Sequence, residues 1–454
     1  MPTDRLTPVV DALVDFVRGL ELRSLPDAVT EAAGLCLTDW LGTAIRGSTE
    51  PLADALDAVV AVTGGEPQAT VVGRGRRTSA LLAALANGAQ GHALDFDDTH
   101  LASIVHGSAP VAPVVLAIAE WRRQPGAAVL EAFVAGFEVE TRIGRVIGPT
   151  LAERGWHVTA VLGHFGAVAA AGKLLGLTAE QLVRAFGIAG TQAAGLEQSF
   201  GTMCKPLHPG KAAMNGLLAA LLAREGFTGP TGVLDERSGL PGTFVGVTDL
   251  APALDGLGTR FEILANSTKL YAACHLLHAT IDAGRAIRER SAPPPEAIAA
   301  VECHVHPLAV KVAAIPEPRS GLEAKFSAAY CAALALTRGE AGESEFTDQT
   351  APARDIVGLA GRIRPVADPA LGITEARMRV RLHDGRVLEE VVRAARGTPG
   401  RPASRQDVED KFRRLAGVVL PAPQVGRLLE TLRHLAALPD VGALAVLTRK
   451  GDQP

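Results

Sequence analysis

The sequence predicts a mainly α fold with a smaller α+β domain. Apolar residues recur at helical spacing through most of the first 265 residues. Past about residue 290 the pattern changes to strand-like alternation over 300–306 and 376–382; an Asp384-Gly385 turn and a further run, 387–392, complete a hairpin signal. Helical spacing then returns over 405–415 and 425–437. A helical tail after an α/β unit implies that the chain re-enters its first domain. We therefore expect one large all-helical domain from both chain ends, 1–265 and 401–454, and a smaller α/β unit over 266–400.

The elements follow in order. Helical spacing covers 26–45, 80–94, 109–121, 129–147, 158–175, 179–193 and 212–225. Pro26 suits a first helical turn, where its missing N–H costs nothing. Thr178, followed by Glu180 and Gln181, reads as a helix start, and Gly148-Pro149 as a stop. The stretch 160–177 is apolar nearly all round, as expected of a helix buried on every side. The proline run at 293–295 marks the change of character, and a helix over 327–337 lies between the two strand regions.

Composition narrows the function. The chain has 454 residues, with 45 Lys and Arg against 49 Asp and Glu, a net charge of −4. Near-balance removes a general electrostatic drive toward nucleic acid or an anionic membrane. The longest apolar run, 109–121, is too short for the ~20 residues that span a bilayer. The first residues carry acids where a secretory leader would be basic. Five scattered cysteines with no CxxC pair read as reduced thiols of a cytoplasmic protein, without a structural zinc. With only 13 Phe, 3 Trp and 2 Tyr, rings for stacking bases or holding a carbocation are scarce.

Two patterns carry chemistry. His106, His157 and Lys205 each stand just before or at an expected helix start, and Lys269 begins the segment leading into 278–287. Cations there are unfavourable by about 0.3–1 kcal/mol, because the dipole end is already positive. A polyanionic ligand resolves the conflict, since helix N-termini with Lys and His make a carboxylate or phosphate site. The second pattern is Asp95, Asp97 and Asp98 at the end of an apolar helix, within GHALDFDDTH. Asp95 would share a helix face with Asp98 and with Thr99. Three readings stand open: a Mg²⁺ site, the D-x-D-D acid of an all-helical class II terpene cyclase, or one carboxylate accepting a proton beside cationic partners. The scarcity of aromatics weakens the cyclase.

GHALDFDDTH (91–100), HGSAPVAPVVLA (106–117), GWH (155–157), KPLHPGKAAMNGLLAALLAREGFTGP (205–230) and AKFSAAYCAALAL (324–336) occur in this order. With them the chain resembles the MmgE/PrpD family, which includes 2-methylcitrate dehydratase, cis-aconitate decarboxylase and iminodisuccinate epimerase. The resemblance implies a helical domain with an inserted α/β lid domain, a homodimer, no organic cofactor and no metal. It also implies a site between the domains built from Asp95, Thr99, His106, His157, Lys205, Lys269 and Tyr330.

The chemistry implied is proton movement at a carbon beside a carboxylate. Lys205 and Lys269 would clamp substrate carboxylates and stabilise the enolate-like charge. Asp95 or His157 would be the base, His106 the other proton-transfer partner, and Tyr330 a donor from the lid. The decarboxylase branch has a histidine five residues after the lysine matching Lys269; here that position is Cys274, followed by His275, a candidate for substrate binding. The expectation is thus a cofactor-free hydro-lyase acting on a small di- or tricarboxylate. Epimerisation and decarboxylation are the enzymatic alternatives, and an inactive binding partner is the non-enzymatic one.

Overall fold

A computed structural model describes residues 9–235 and 237–450. The part of the leader reading that rests on residues 1–8 lies outside them. The structure is mostly helical with a small mixed sheet.

The first helices are α1 (Val9–Gly19), α2 (Asp27–Gly47), α3 (Pro51–Thr63), α4 (Ala80–His92), α5 (Ser108–Arg122), α6 (Gly126–Glu153), α7 (Val158–Leu174), α8 (Ala179–Gly190) and α9 (Cys204–Arg224). α4, α5, α7 and α9 pack on one another, and α6 lies along α7. Small residues make the close approach possible. An added Cβ on Gly210 would meet the Leu85 carbonyl oxygen at 2.3 Å, where α9 crosses α4. The Thr178 capping box forms as expected, its hydroxyl accepting from the Gln181 N–H and Gln181 returning to the Thr178 N–H.

Two expected boundaries move. Gly148-Pro149 does not stop α6, which runs on to Glu153. Gly148 instead gives room to the Ser103 carbonyl, and a proline so near the helix end forfeits little of the ladder. Helix α9 starts at Cys204, well before 212, and takes Pro206 into its first turn, where its N–H would lack a helical partner in any case.

Three longer strands and one short one form the mixed sheet. β3 (Ile298–Val305) pairs in parallel with β4 (Ile363–Ala367) and antiparallel with β5 (Ala376–Leu382), and β5 turns through Asp384-Gly385 into β6 (Val387–Val392). The sheet order is β4-β3-β5-β6, separate from a short hairpin of β1 (Ala69–Thr70) and β2 (Arg77–Thr78). In β5, Ala376, Met378, Val380 and Leu382 face inward, and the intervening arginines face out. Helices His278–Ser291 and Ala328–Thr337 cover the sheet's apolar side. Strand β4 escaped the sequence reading because IRPVA is short and holds a proline.

Two large hydrophobic cores result, with a small third cluster of Leu52, Ala89 and Ala93 among the described residues. One lies within the helices α1–α9 and takes in Phe412 and Ala416 from helix Arg405–Gly417, which packs against α2. The other surrounds the sheet and takes in Leu94 and Phe96. The segment after α4 therefore has its two apolar side chains anchored in the second core while α4 belongs to the first. Lys411, buried and paired with Asp39 at 2.7 Å, ties this junction by donating to the carbonyls of Phe96 and Lys269. No helix among the described residues is long and apolar enough to cross a membrane. All five cysteines are free thiols.

Candidate active site

Helix α4 ends at His92, so the acidic segment is a turn and not a helix end. Asp95 adopts φ 49°, a left-handed conformation that Asp tolerates better than most residues. The three carboxylates consequently point apart. Asp98 accepts from the Ser108 N–H and hydroxyl at the start of α5, and from Asn266. Asp97 turns to His92 and His106, and Asp95 to two lysines. Neither the Mg²⁺ site of clustered aspartates nor the D-x-D-D acid matches this divergence.

Asp95 is the centre. Its Oδ1 accepts from Lys205 Nζ at 3.0 Å and from Lys269 Nζ at 2.9 Å, and its carbonyl oxygen accepts from Lys269 at 2.8 Å. Its Oδ2 is buried and has no partner. Lys205 comes from the first turn of α9, with the rings of Phe200 and Phe326 at 5.4 and 5.5 Å. Lys269 comes from an irregular segment, not a helix start, nine residues ahead of His278–Ser291. That segment is held by a bridge in which Thr99 and Ser267 exchange backbone hydrogen bonds of 2.9 and 3.0 Å. Burial works against ionising Asp95, yet Lys205 and Lys269 hold its carboxyl well below the usual range. Asp95 is therefore a poor base.

The imidazoles form a second layer. His92 Nε2 lies 2.8 Å from Lys205 Nζ, which can only donate; His92 Nδ1 must then carry the proton, and it reaches Asp97 at 2.8 Å. Asp97 Oδ2 also lies 3.2 Å from His106 Nδ1. That contact fixes the His106 ring and leaves its Nε2 for the cavity. Burial pulls His92 down to about 3, with Asp97 opposing, and lowers His106 in the same way. His157, the residue preceding α7, is pulled well down by burial and then by Lys205. Its Nδ1 lies 2.9 Å from His208 Nδ1. These rings are neutral bases in this setting, beside two ammonium groups.

Asp95, Thr99, His106, His157, Lys205, Lys269 and His275 all line one cavity of about 340 Å³. Apolar side chains, among them Ile104, Trp156, Phe200 and Phe326, close its other walls. Cys274 and His275 both reach it. The His275 ring stacks on His278 at 4.5 Å, and neither of its nitrogens has a partner. Burial pushes the Cys274 thiol up to about 11 and so keeps it neutral.

Tyr330 is the exception and corrects the expectation. It does not line this cavity. Its hydroxyl donates to the Thr350 carbonyl at 3.2 Å and to that of Glu345 at 3.4 Å, and the residue lines a different cavity. The sequence reading gave no role to His92 or to Lys325, whose buried ammonium donates to the Leu94 carbonyl and is pulled by burial to about 8, and it singled out Asp97 only as one of three carboxylates, not as the partner of two imidazoles. The local signal was position alone: His92 and Asp97 stand in GHALDFDDTH (91–100) and Lys325 in AKFSAAYCAALAL (324–336), both already singled out.

His92, Asp95, Asp97 and His106 offer ligand atoms within 4.8 Å of one another. The donor set does not suit a cation. His92 and Asp95 already face lysine ammoniums at 2.8–3.0 Å, and a divalent ion would sit against both positive charges. The same arrangement suits an anion.

The chain matches the MmgE/PrpD N-terminal domain over residues 11–252 and the MmgE/PrpD C-terminal domain over residues 271–436. It belongs to the MmgE/PrpD family. Among its relatives is a cis-aconitate decarboxylase of Aspergillus terreus, 30% identical over 475 residues covering 97% of this chain and 95% of that one. The cis-aconitate decarboxylase of Mus musculus is 27% identical, covering 98% of this chain and 94% of that one. That of Homo sapiens is 28% identical, covering 99% and 96%. Within this MmgE/PrpD chain, the matched regions supply both halves of the cavity wall: Asp95 to Lys205 from the first, Cys274, His275 and Phe326 from the second.

Proposed function

We propose that this protein is a lyase acting on a small di- or tricarboxylate through charge developed on a carbon beside a carboxylate. One observation carries the reading. Two buried lysine ammoniums converge on Asp95 beside a cavity that also presents the free Nε2 of His106. Lys205 and Lys269 bind the substrate carboxylate and stabilise its aci-carboxylate form, in a site where low polarity strengthens their effect. His106, oriented by Asp97, and His157 handle the protons. Asp95 holds the two ammoniums in place and does not act as base. The 266–400 unit serves as the lid.

Loss of CO₂ is the preferred outcome: the curated relatives named above are decarboxylases along their whole length, and His275 takes a place in the wall. The C–C bond to a carboxylate breaks, the electron pair stays on a carbon conjugated with the neighbouring carboxylate, and an imidazolium returns a proton. A bound polyanion supplies that imidazolium by raising the pKa of His106 or His157. Loss of water is the second reading, favoured by the neutral Cys274 thiol, a weak proton donor, where the decarboxylase branch has histidine.

Proton NMR of the purified protein with cis-aconitate, 2-methylcitrate and citrate in D₂O tests this. Carbon dioxide release with one solvent deuterium in the product supports decarboxylation, and a new alkene from a hydroxy acid supports dehydration. Deuterium at the α-carbon with neither loss points to an epimerase and sinks the lyase reading.

A further inference from the structure

We infer that His208 relays protons between solvent and His157, as a positioning and relay residue of the proposed lyase; it rests on that reading. His157 lines the cavity and His208 does not. Their Nδ1 atoms lie 2.9 Å apart, with ring centroids at 5.2 Å. His208, in the second turn of α9, is half-buried. The His157 ring also makes a T-shaped contact with Phe200, centroids 5.2 Å apart, and its backbone N–H donates to the Gly195 carbonyl. Gly195 also leaves room for His208, whose ring would stand 3.1 Å from an added Cβ.

A short Nδ1-to-Nδ1 contact requires opposite tautomers: one ring donates and the other accepts. It also leaves both Nε2 atoms free, one toward the cavity and one toward the outside. The other imidazoles offer no such path. His92 is buried and has both nitrogens committed, to Asp97 and Lys205, while His106, half-buried, turns its Nδ1 to Asp97 and not to a second ring. Loss of CO₂ from a carboxylate takes up one proton per turnover, so the ring that delivers it must be recharged from water each time.

The steps balance as follows. With the polyanion bound, His208 Nε2 takes a proton from solvent and the Nδ1 proton of His208 passes to His157 Nδ1, which makes His157 the imidazolium. His157 Nε2–H then gives its proton to the substrate carbon and the ring returns to neutral. The pair ends with both tautomers exchanged, and the reverse exchange through water resets it. In a reaction that abstracts a proton, the same chain runs outward.

The test is His208→Asn, which keeps a hydrogen-bonding side chain near His157 but cannot pass a proton through a ring. The relay predicts that kcat falls about tenfold or more, within the range of proton-transfer catalysis, while KM changes by less than about twofold. It further predicts that added imidazole restores the rate in proportion to its concentration, which a merely structural role would not allow. An unchanged kcat, or a fall that imidazole does not repair, overturns the relay. Nitrogen-15 spectra of the wild-type histidines decide it without turnover: one ring of the pair protonated at Nδ1 and the other at Nε2 supports it, and both at Nε2 overturns it. If the wild type acts on no polycarboxylate, the lyase reading fails, and these spectra still judge the pair.

Discussion

Lys269 grips Asp95 twice, its ammonium reaching the carboxylate at 2.9 Å and the same residue's carbonyl at 2.8 Å. The lysine thus fixes both the charge and the left-handed backbone of the residue at the centre of the site. Removing it leaves Asp95 with half its positive partners in a buried place. Lys269→Ala should lower kcat/KM by about 10²-fold or more, the loss typical of one electrostatic donor. Lys205→Ala should behave alike, and steady-state kinetics on the substrate found by NMR checks both.

Asp97 is the shared acceptor of His92 and His106. Asp97→Asn keeps the shape but places an amide where both rings need an acceptor, so His106 loses its tautomer control. We expect kcat to drop by about 10²–10⁴, as for an orienting carboxylate, with KM little changed. Retention of wild-type kcat would remove His106 from proton transfer.

Acid should unfold the protein early. Burial holds His92 and His278 near pKa 3 and His164 near 4, against an ordinary 6.5. The unfolded chain therefore binds more protons than the folded one below pH 6.5, and stability rises with pH across that window. The melting temperature should fall steadily from about pH 6.5 to 4. A flat profile there would mean that these rings are not buried neutral.

Binding should take up protons. His106 and His157 are neutral in the free protein because burial lowers both, and a polycarboxylate raises them again. Calorimetry of inhibitor binding at pH 7 in buffers of different ionisation enthalpy should report net proton uptake. Release or no change would argue against an imidazolium in the complex.

Glu140 lies in the helical core with neither carboxylate oxygen partnered, and burial pushes its pKa well up. Its folded-state penalty grows as pH rises above the ordinary glutamate value. Glu140→Met should stabilise the protein by about 1–3 kcal/mol at neutral pH, the cost of an unsatisfied buried group, as read from denaturant unfolding.

Tyr330→Phe should leave kcat within about twofold, because the hydroxyl is spent on the carbonyls of Thr350 and Glu345. A stability loss of about 1 kcal/mol would match one lost hydrogen bond. A large loss of activity would restore Tyr330 to the site.

What the sequence determined by itself is local in origin. Helical periodicity, the Thr178 cap and the alternation in Ala376–Leu382 depend on neighbours a few residues away; the cap and the alternation appear where expected, and the periodicity found α6 and α9 while misplacing one end of each. The family motifs likewise brought Asp95, His106, His157, Lys205 and Lys269 to one cavity. What only the tertiary structure decided depends on contacts across a hundred residues or more. Lys205 reaches back to His92 and Asp95, Lys325 to Leu94, and Lys411 to Phe96. Those contacts, not the spacing of Asp95, Asp97 and Asp98, set which way each carboxylate points. The reason is electrostatic and steric together: Leu94 and Phe96 must enter one core, so Asp95 must face the other way, and two buried lysines are there to meet it. Tyr330 shows the converse, for its motif placed it near the site while its helix turns its hydroxyl elsewhere.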